Sequence, residues 1–416
     1  MFELNMSDTD SLNIFGVFRF YHKCSPYNCG APPPFRYFFR AFTVLTIVAQ
    51  LFRVYWMFWQ CGSETFTFGW AESRLYGFIA FESFVITIAL ARMTSNDSLT
   101  RFERNLGALQ TLRIHKSRHK KHDNYRILYI RLFIAGIFLF VSFLLTAVYL
   151  SSHKLVTFGA EKHSSWYWIL DPIIAVLCGY SNLLYLPTHS LLHHALTREF
   201  DVFNEEIEEA SKGKKLATLP TLRTFGERQV KLFEYANFMT GRMERLMTWA
   251  PLFALIALLM GTYIVSEFDK TPKTVYLICL ISVTISCFIM SFTLLYPVAF
   301  VQEANLSELY NTRIPNFSPF QMTKTASILM NDAQIQQSDD PFVFQCYRIM
   351  LDRSMHNRTM NHVLHVFSVT RKNIEKAFFV HSLVIIVMVI VHDFQQGLQV
   401  GFGQLAKFVT LIPHAN

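Results

Sequence analysis

Charge is what this chain has least of. Only 16% of its 416 residues are Asp, Glu, Lys or Arg, against 52% hydrophobic residues and 41 phenylalanines. A soluble globular chain carries about 25% charged residues, so a water-exposed surface wrapped around one core is excluded. Catalytic patterns are missing too. No HExxH or GxSxG occurs, no two carboxylates pair within an apolar run, and no inverted repeat of broken helices points to transport. The chain is therefore expected to be no enzyme and to need no cofactor. Its seven cysteines, Cys24, Cys29, Cys61, Cys178, Cys279, Cys287 and Cys346, make no extracellular disulfide framework. The first 37 residues hold no basic-then-apolar leader with a small-residue cleavage site, so no cleavable signal peptide is expected.

What is present is long apolar runs. A bilayer core of ~30 Å needs about 20 mostly apolar helical residues. Seven stretches qualify: Phe38 to Trp59, Leu75 to Ala91, Leu132 to Leu150, Trp166 to Leu192, Leu246 to Val265, Val275 to Val301 and Ala377 to Phe394. The fold class follows as an all-α bundle of seven transmembrane helices. It divides the chain into an amino-terminal segment (1–37) and a six-span bundle (38–301) with long loops at 92–131 and 193–245. A helical loop (302–376), fitted for oligomerisation, a seventh span (377–394) and a tail (395–416) follow.

Lysine and arginine set orientation. The loops on the amino-terminal side carry 30 of the 38 basic residues, and the opposite loops carry 6. The amino terminus is expected in the cytosol and the carboxyl terminus outside, in the plasma membrane. Asn96, Asn305 and Asn357 begin N-x-S/T sequons on the cytosolic side, so core glycosylation at any of them would contradict this orientation.

The stretch "RIHKSRHKKHDNYR", residues 113 to 126, belongs to a cytosolic loop. His115, His119 and His122 share a helix face, yet no carboxylate or thiol joins them at motif spacing and the surrounding lysines repel a cation. Neither a metal nor nucleic acid is expected there; anionic lipid headgroups are. The group "THSLLHH", with His189, His193 and His194, reads as the end of the fourth span, where imidazolium complements the helix dipole. "CSPYNC" (24–29) reads as a loop. Phe200, Phe203 and Ile207 are spaced for a helix extending the fourth span, and residues 341–376 show helical periodicity flowing into the seventh.

Charges within the membrane are candidate functional groups. Arg40 can snorkel to the cytosolic face. Counting helical rise, Arg53, Glu82 and Asp171 share one depth, roughly 8–10 Å from the outer ends of spans one, two and four. They form either a salt-bridged strut or the polar lining of an outward-facing ligand pocket. Tyr76, Phe81, Trp166, Trp168, Tyr263 and Tyr276 stand near that level and suit either a pocket or an interfacial belt; belt is the commoner role for the Trp and Tyr at the span ends, and Phe81 and Tyr180 are the deeper pocket candidates.

Seven spans with the amino terminus inside, a short outer connection between spans five and six, a long helical loop before span seven, and "NIFGVFRFY" (13–21) resemble the insect-type gustatory and odorant receptor superfamily, with its nematode gustatory-receptor-like and serpentine-receptor branches. That family's last-span signature, Thr-Tyr, five apolar residues, then Gln-Phe, is mostly replaced here. Asp393 and Phe394 take the Gln-Phe places, and Ile386 and Val387 the Thr-Tyr places. The resemblance implies a homo- or heterotetrameric ligand-gated cation channel for a small-molecule ligand, with span seven lining the pore. "SLVIIVMVIVHDFQQ" (382–396) fits: Val384, Val387 and Val391 suit a dewetting gate, with Asp393 and Gln395 at a polar outer mouth. The alternatives are a G-protein-coupled nematode-type chemoreceptor or a non-conducting auxiliary subunit. The first lacks support, since "SSHKLVTFGAEKH" follows span three and the last span has no NPxxY.

Overall fold

A computed structural model of the chain describes residues 16–60, 66–115, 125–153, 167–247, 249–266, 274–305, 323–332, 340–356, 362–363 and 367–410. The helices are α1 (Gly16–Cys24), α2 (Phe35–Tyr55), α3 (Phe68–Ser95), α4 (Ser98–Thr111), α5 (Arg126–His153), α6 (Tyr167–Lys212), α7 (Leu219–Met247), α8 (Trp249–Ser266), α9 (Thr274–Asn305), α10 (Lys324–Asn331), α11 (Pro341–His356) and α12 (Arg371–Thr410). A π turn, Trp56–Gln60, ends α2. Seven helices, α2, α3, α5, α6, α8, α9 and α12, are long and apolar enough to cross a membrane. The protein is a multi-pass membrane protein. Helices are what such sequences must form, because lipid offers no partner to a free N–H or C=O.

Successive spans run in opposite directions. One side, here the near side, therefore holds α1, α4, α7, α10, α11 and the last turns of α6; the other is the far side. Spans two and four form the interior. In the most apolar stretch of α3, 67% of residues are buried, against 11% in α12. A close approach at a glycine permits tight packing there. A Cβ on Gly77 would stand 2.4 Å from the Phe58 ring, so the π turn lies directly on α3 at that residue. Arg74 then donates to the carbonyls of Met57 (3.3 Å) and Phe58 (2.9 Å), satisfying the end of span one.

Four expectations are corrected. The "THSLLHH" histidines do not end a helix: α6 continues to Lys212, because Phe200, Phe203 and Ile207 bury its apolar stripe on the near side. Loop 92–131 contains α4, whose Leu99, Phe102, Leu106 and Leu109 are buried along one face. Residues 341–376 are not one helix flowing into span seven; α11 stops at His356, and an antiparallel pair, β1 (His362–Val363) and β2 (Phe367–Ser368), precedes α12. Finally, α12 runs through most of the expected tail to Thr410. Gly397, Gly401 and Gly403 cost only about 1 kcal/mol each in a helix and do not stop it.

The near side is tied by buried charges. Arg113 pairs with Glu199 and Arg228 with Glu206, each side chain 2% exposed or less. Glu206 also accepts from the backbone N–H of Ile114 (3.2 Å) and His115 (3.0 Å). The start of the basic stretch is thus pinned to α6, while His119 and His122 lie outside the described residues. The "CSPYNC" loop is folded inward: Tyr27 is fully buried against Phe42 and Tyr180. His22 of α1 sits 2.8 Å from Thr188 Oγ1, and burial lowers its imidazole to about 4.

Candidate functional site

Two of the three expected intramembrane charges meet on the far side. Arg53 Nε stands 2.8 Å from Asp171 Oδ1, and Arg53 Nη2 donates to Oδ2 at 3.3 Å. Arg53 lies in the last turn of α2 and Asp171 in the second turn of α6, where the helix dipole favours a carboxylate. The guanidinium also lies over the Tyr76 ring, 5.8 Å from its centre. Both charges are withdrawn from water, so each depends on the other: removing one partner of such a pair costs about 3–5 kcal/mol.

Beside the pair is a cleft lined by Arg53, Tyr76, Ile79, Phe143, Thr146, Ala147, Ala175, Cys178 and Val283. It is narrow, with room for about one water. Its walls come from spans one, two, three, four and six. Apolar side chains dominate, yet the Tyr76 hydroxyl is buried without a hydrogen-bond partner. A buried hydroxyl left unpaired costs about 1–3 kcal/mol, so a polar group entering the cleft would find an unfilled partner. Toward the far surface, Tyr276 of α9 donates its hydroxyl to the fully buried Glu72 of α3.

The other expected site residues lie elsewhere. Glu82 is fully buried but joins Asn182 and Ser83: Asn182 Nδ2 donates to its Oε2 at 2.9 Å and Ser83 Oγ at 3.2 Å. Phe81 stacks on Phe253 at 4.9 Å between spans two and five. Tyr180 packs on Tyr27, toward the near side. None of these three lines the cleft. A charge scan passes over Asn182, a neutral residue, and Glu72, which lies just outside the apolar run that begins at Leu75. Thr146 and Cys178 carry no signal at all in a sequence, because only the crossing of spans three and four brings them together.

On span seven, Val384, Val387 and Asp393 are exposed and Val391 is half-buried, whereas Met388 is buried. The side chain of Gln395 lies outside the described residues. Among the described residues, no three His, Cys, Asp or Glu side chains are placed to hold a metal.

No curated protein matches this chain in sequence. Among solved structures, the chain is similar to the insect olfactory receptor OR5 from Machilis hrabei in complex with eugenol. The TM-score is 0.64 at 11% identity, over 91% of this chain and 97% of that one. The same receptor in a structure titled without eugenol gives 0.63 at 12% identity, over 91% and 100%. The seven-helix fold is therefore that of an insect olfactory receptor. A family profile matches residues 14–384, most of the sequence, and the chain belongs to the family described as Caenorhabditis protein of unknown function, DUF267.

Proposed function

We propose that this protein is a chemosensory receptor of the plasma membrane that works as a ligand-gated cation channel. Its amino terminus is cytosolic, and a small molecule reaches the far-side cleft from outside. Four chains assemble about an axis lined by span seven, with loop 302–376 at the subunit contacts. Val384, Val387 and Val391 form the apolar gate, and Asp393, repeated by symmetry, makes an acidic ring that draws cations.

The observation that carries this reading is the bareness of span seven. Phe379, Leu383, Ile386, Ile390 and Phe394 are each more than half exposed. Lipid alone could cover such a face, but lipid does not account for Asp393 at its far end: an ionisable group there calls for a water-filled path. The fold shared with an insect olfactory receptor that was solved in complex with eugenol supports the same reading.

The test is electrical. Purified protein reconstituted in planar bilayers is expected to give cation-selective openings, and Asp393→Asn is expected to reduce their selectivity over anions. Openings whose selectivity ignores that change would remove the pore assignment. A monomeric, silent protein would remove the channel.

A further inference from the structure

At its far end, span seven meets the rest of the bundle at a backbone carbonyl. Phe66 O accepts from Tyr263 Oη of α8 at 3.0 Å and from His392 Nδ1 of α12 at 2.9 Å. A carbonyl can only accept, so His392 carries its proton on Nδ1 in this contact. The His392 ring meets the Tyr263 ring edge-on, with centres 6.2 Å apart. Three spans thus converge on a single oxygen.

That oxygen is not freely placed. Phe66 has φ 61°, a left-handed conformation that a bulky residue adopts only under constraint. Its ring leans on Trp70, 5.5 Å away. The next residue, Thr67, caps α3 by accepting from Trp70 N at 3.3 Å. The carbonyl is therefore rigidly joined to the first turn of α3. Ten residues on, about 15 Å along the helix, α3 presents Tyr76 to the cleft. On the other partner, His392 is followed directly by Asp393.

We propose that His392 is the positioning residue through which span two holds span seven, so that a displacement of the cleft's α3 wall is passed to the pore helix. The proposal rests on the channel reading for its functional half only. Span seven buries little surface, chiefly at Ile374 and Met388, so a directional bond at its far end adds to a thin apolar contact. A hydrogen bond has a net worth that corresponds to about a five-fold change in an equilibrium. Coupling of this kind needs a contact that differs between two arrangements of the helix, and a bond to a fixed carbonyl is such a contact.

The experiment uses the full chain in lipid nanodiscs and planar bilayers, with wild type, His392→Phe and His392→Asn. The phenylalanine keeps the ring and loses the donor; the asparagine restores a donor. Hydrogen exchange of the segment around residues 388–394 is expected to quicken about five-fold in His392→Phe and to return toward wild type in His392→Asn. Spontaneous open probability in potassium chloride is expected to shift by about the same factor at unchanged unitary conductance, again with rescue by asparagine. Unchanged exchange in His392→Phe overturns the docking role. Quickened exchange with unaltered open probability overturns the coupling and leaves a mere anchor. A wild type without openings defeats the channel reading, and the exchange result then decides the docking role alone.

Discussion

Spans four and seven are the two longest helices, at 46 and 40 residues, and both are apolar enough to cross a membrane. They are used in opposite ways. Span four is enclosed by spans three and six and continues into the near-side helices. Span seven touches the bundle along one edge, through Ile374, Phe378, Met388 and His392, and leaves its other face uncovered. Span seven is the more apolar of the two, so apolarity alone does not identify the interior helix. Inside a membrane, polar side chains that find partners mark the interior, and an unbroken apolar face marks a surface left for lipid or another subunit.

The strongest test of that contrast is at the buried charges of span four. Glu206→Ala strands Arg228, which is fully buried, and is expected to cost about 3–5 kcal/mol; loss of monodisperse protein and a fall in Tm would show it. Next comes matched truncation of leucines. Leu191→Ala, at a fully buried site of span four, is expected to cost about 3 kcal/mol, whereas Leu383→Ala on the bare face should stay within about 0.5 kcal/mol in a monomer. Equal losses in an assembled sample would show that subunit contacts cover that face, which sharpens the comparison.

A smaller effect is expected from pH. The His22 imidazole is lowered to about 4 where α1 meets span four, against about 6.5 when unfolded. Below pH 6.5 the unfolded chain takes up a proton that the folded one refuses, so stability falls as pH drops from 6.5 toward 4. By pH 5 the loss is about 2 kcal/mol. Thermal scans should show a shallower decline between pH 7 and pH 5 in His22→Gln; an identical decline would acquit His22. The least effect is expected at the start of span seven, where Arg371 and Glu375 form an exposed pair at 3.2 Å. Glu375→Gln should change Tm by no more than about 0.5 kcal/mol allows.

The seven spans and the extension of span four were legible because apolar runs and the Phe200, Phe203 and Ile207 stripe report local periodicity. The meeting of Arg53 with Asp171 was half legible. Depth can be counted along a helix, but rotation about its axis cannot, so Glu82 shared their level and still faced another partner, Asn182. The inward fold of Tyr27, the Phe66 carbonyl that receives His392 and the cleft wall at Thr146 depend on which helices cross, and no local pattern records that. The histidines of "THSLLHH" misled for a related reason. A polar cluster after an apolar run resembles a boundary, yet His189 is buried against the Leu294 carbonyl of span six and the helix carries on past an exposed His194.

The continuity of span four has a mechanical meaning. Asp171 and Glu206 lie on one helix, about 52 Å apart along its axis, so the far-side ion pair and the near-side ion pair are two ends of a single rod. Pro187 interrupts the hydrogen-bond ladder between them and is the natural place for that rod to bend. A bend of about 5° there sweeps Glu206 sideways by about 2.5 Å over the remaining ~28 Å of helix. A shift of that size would exceed the tolerance of a hydrogen bond to Arg228, so the near-side pair would register any bend of span four.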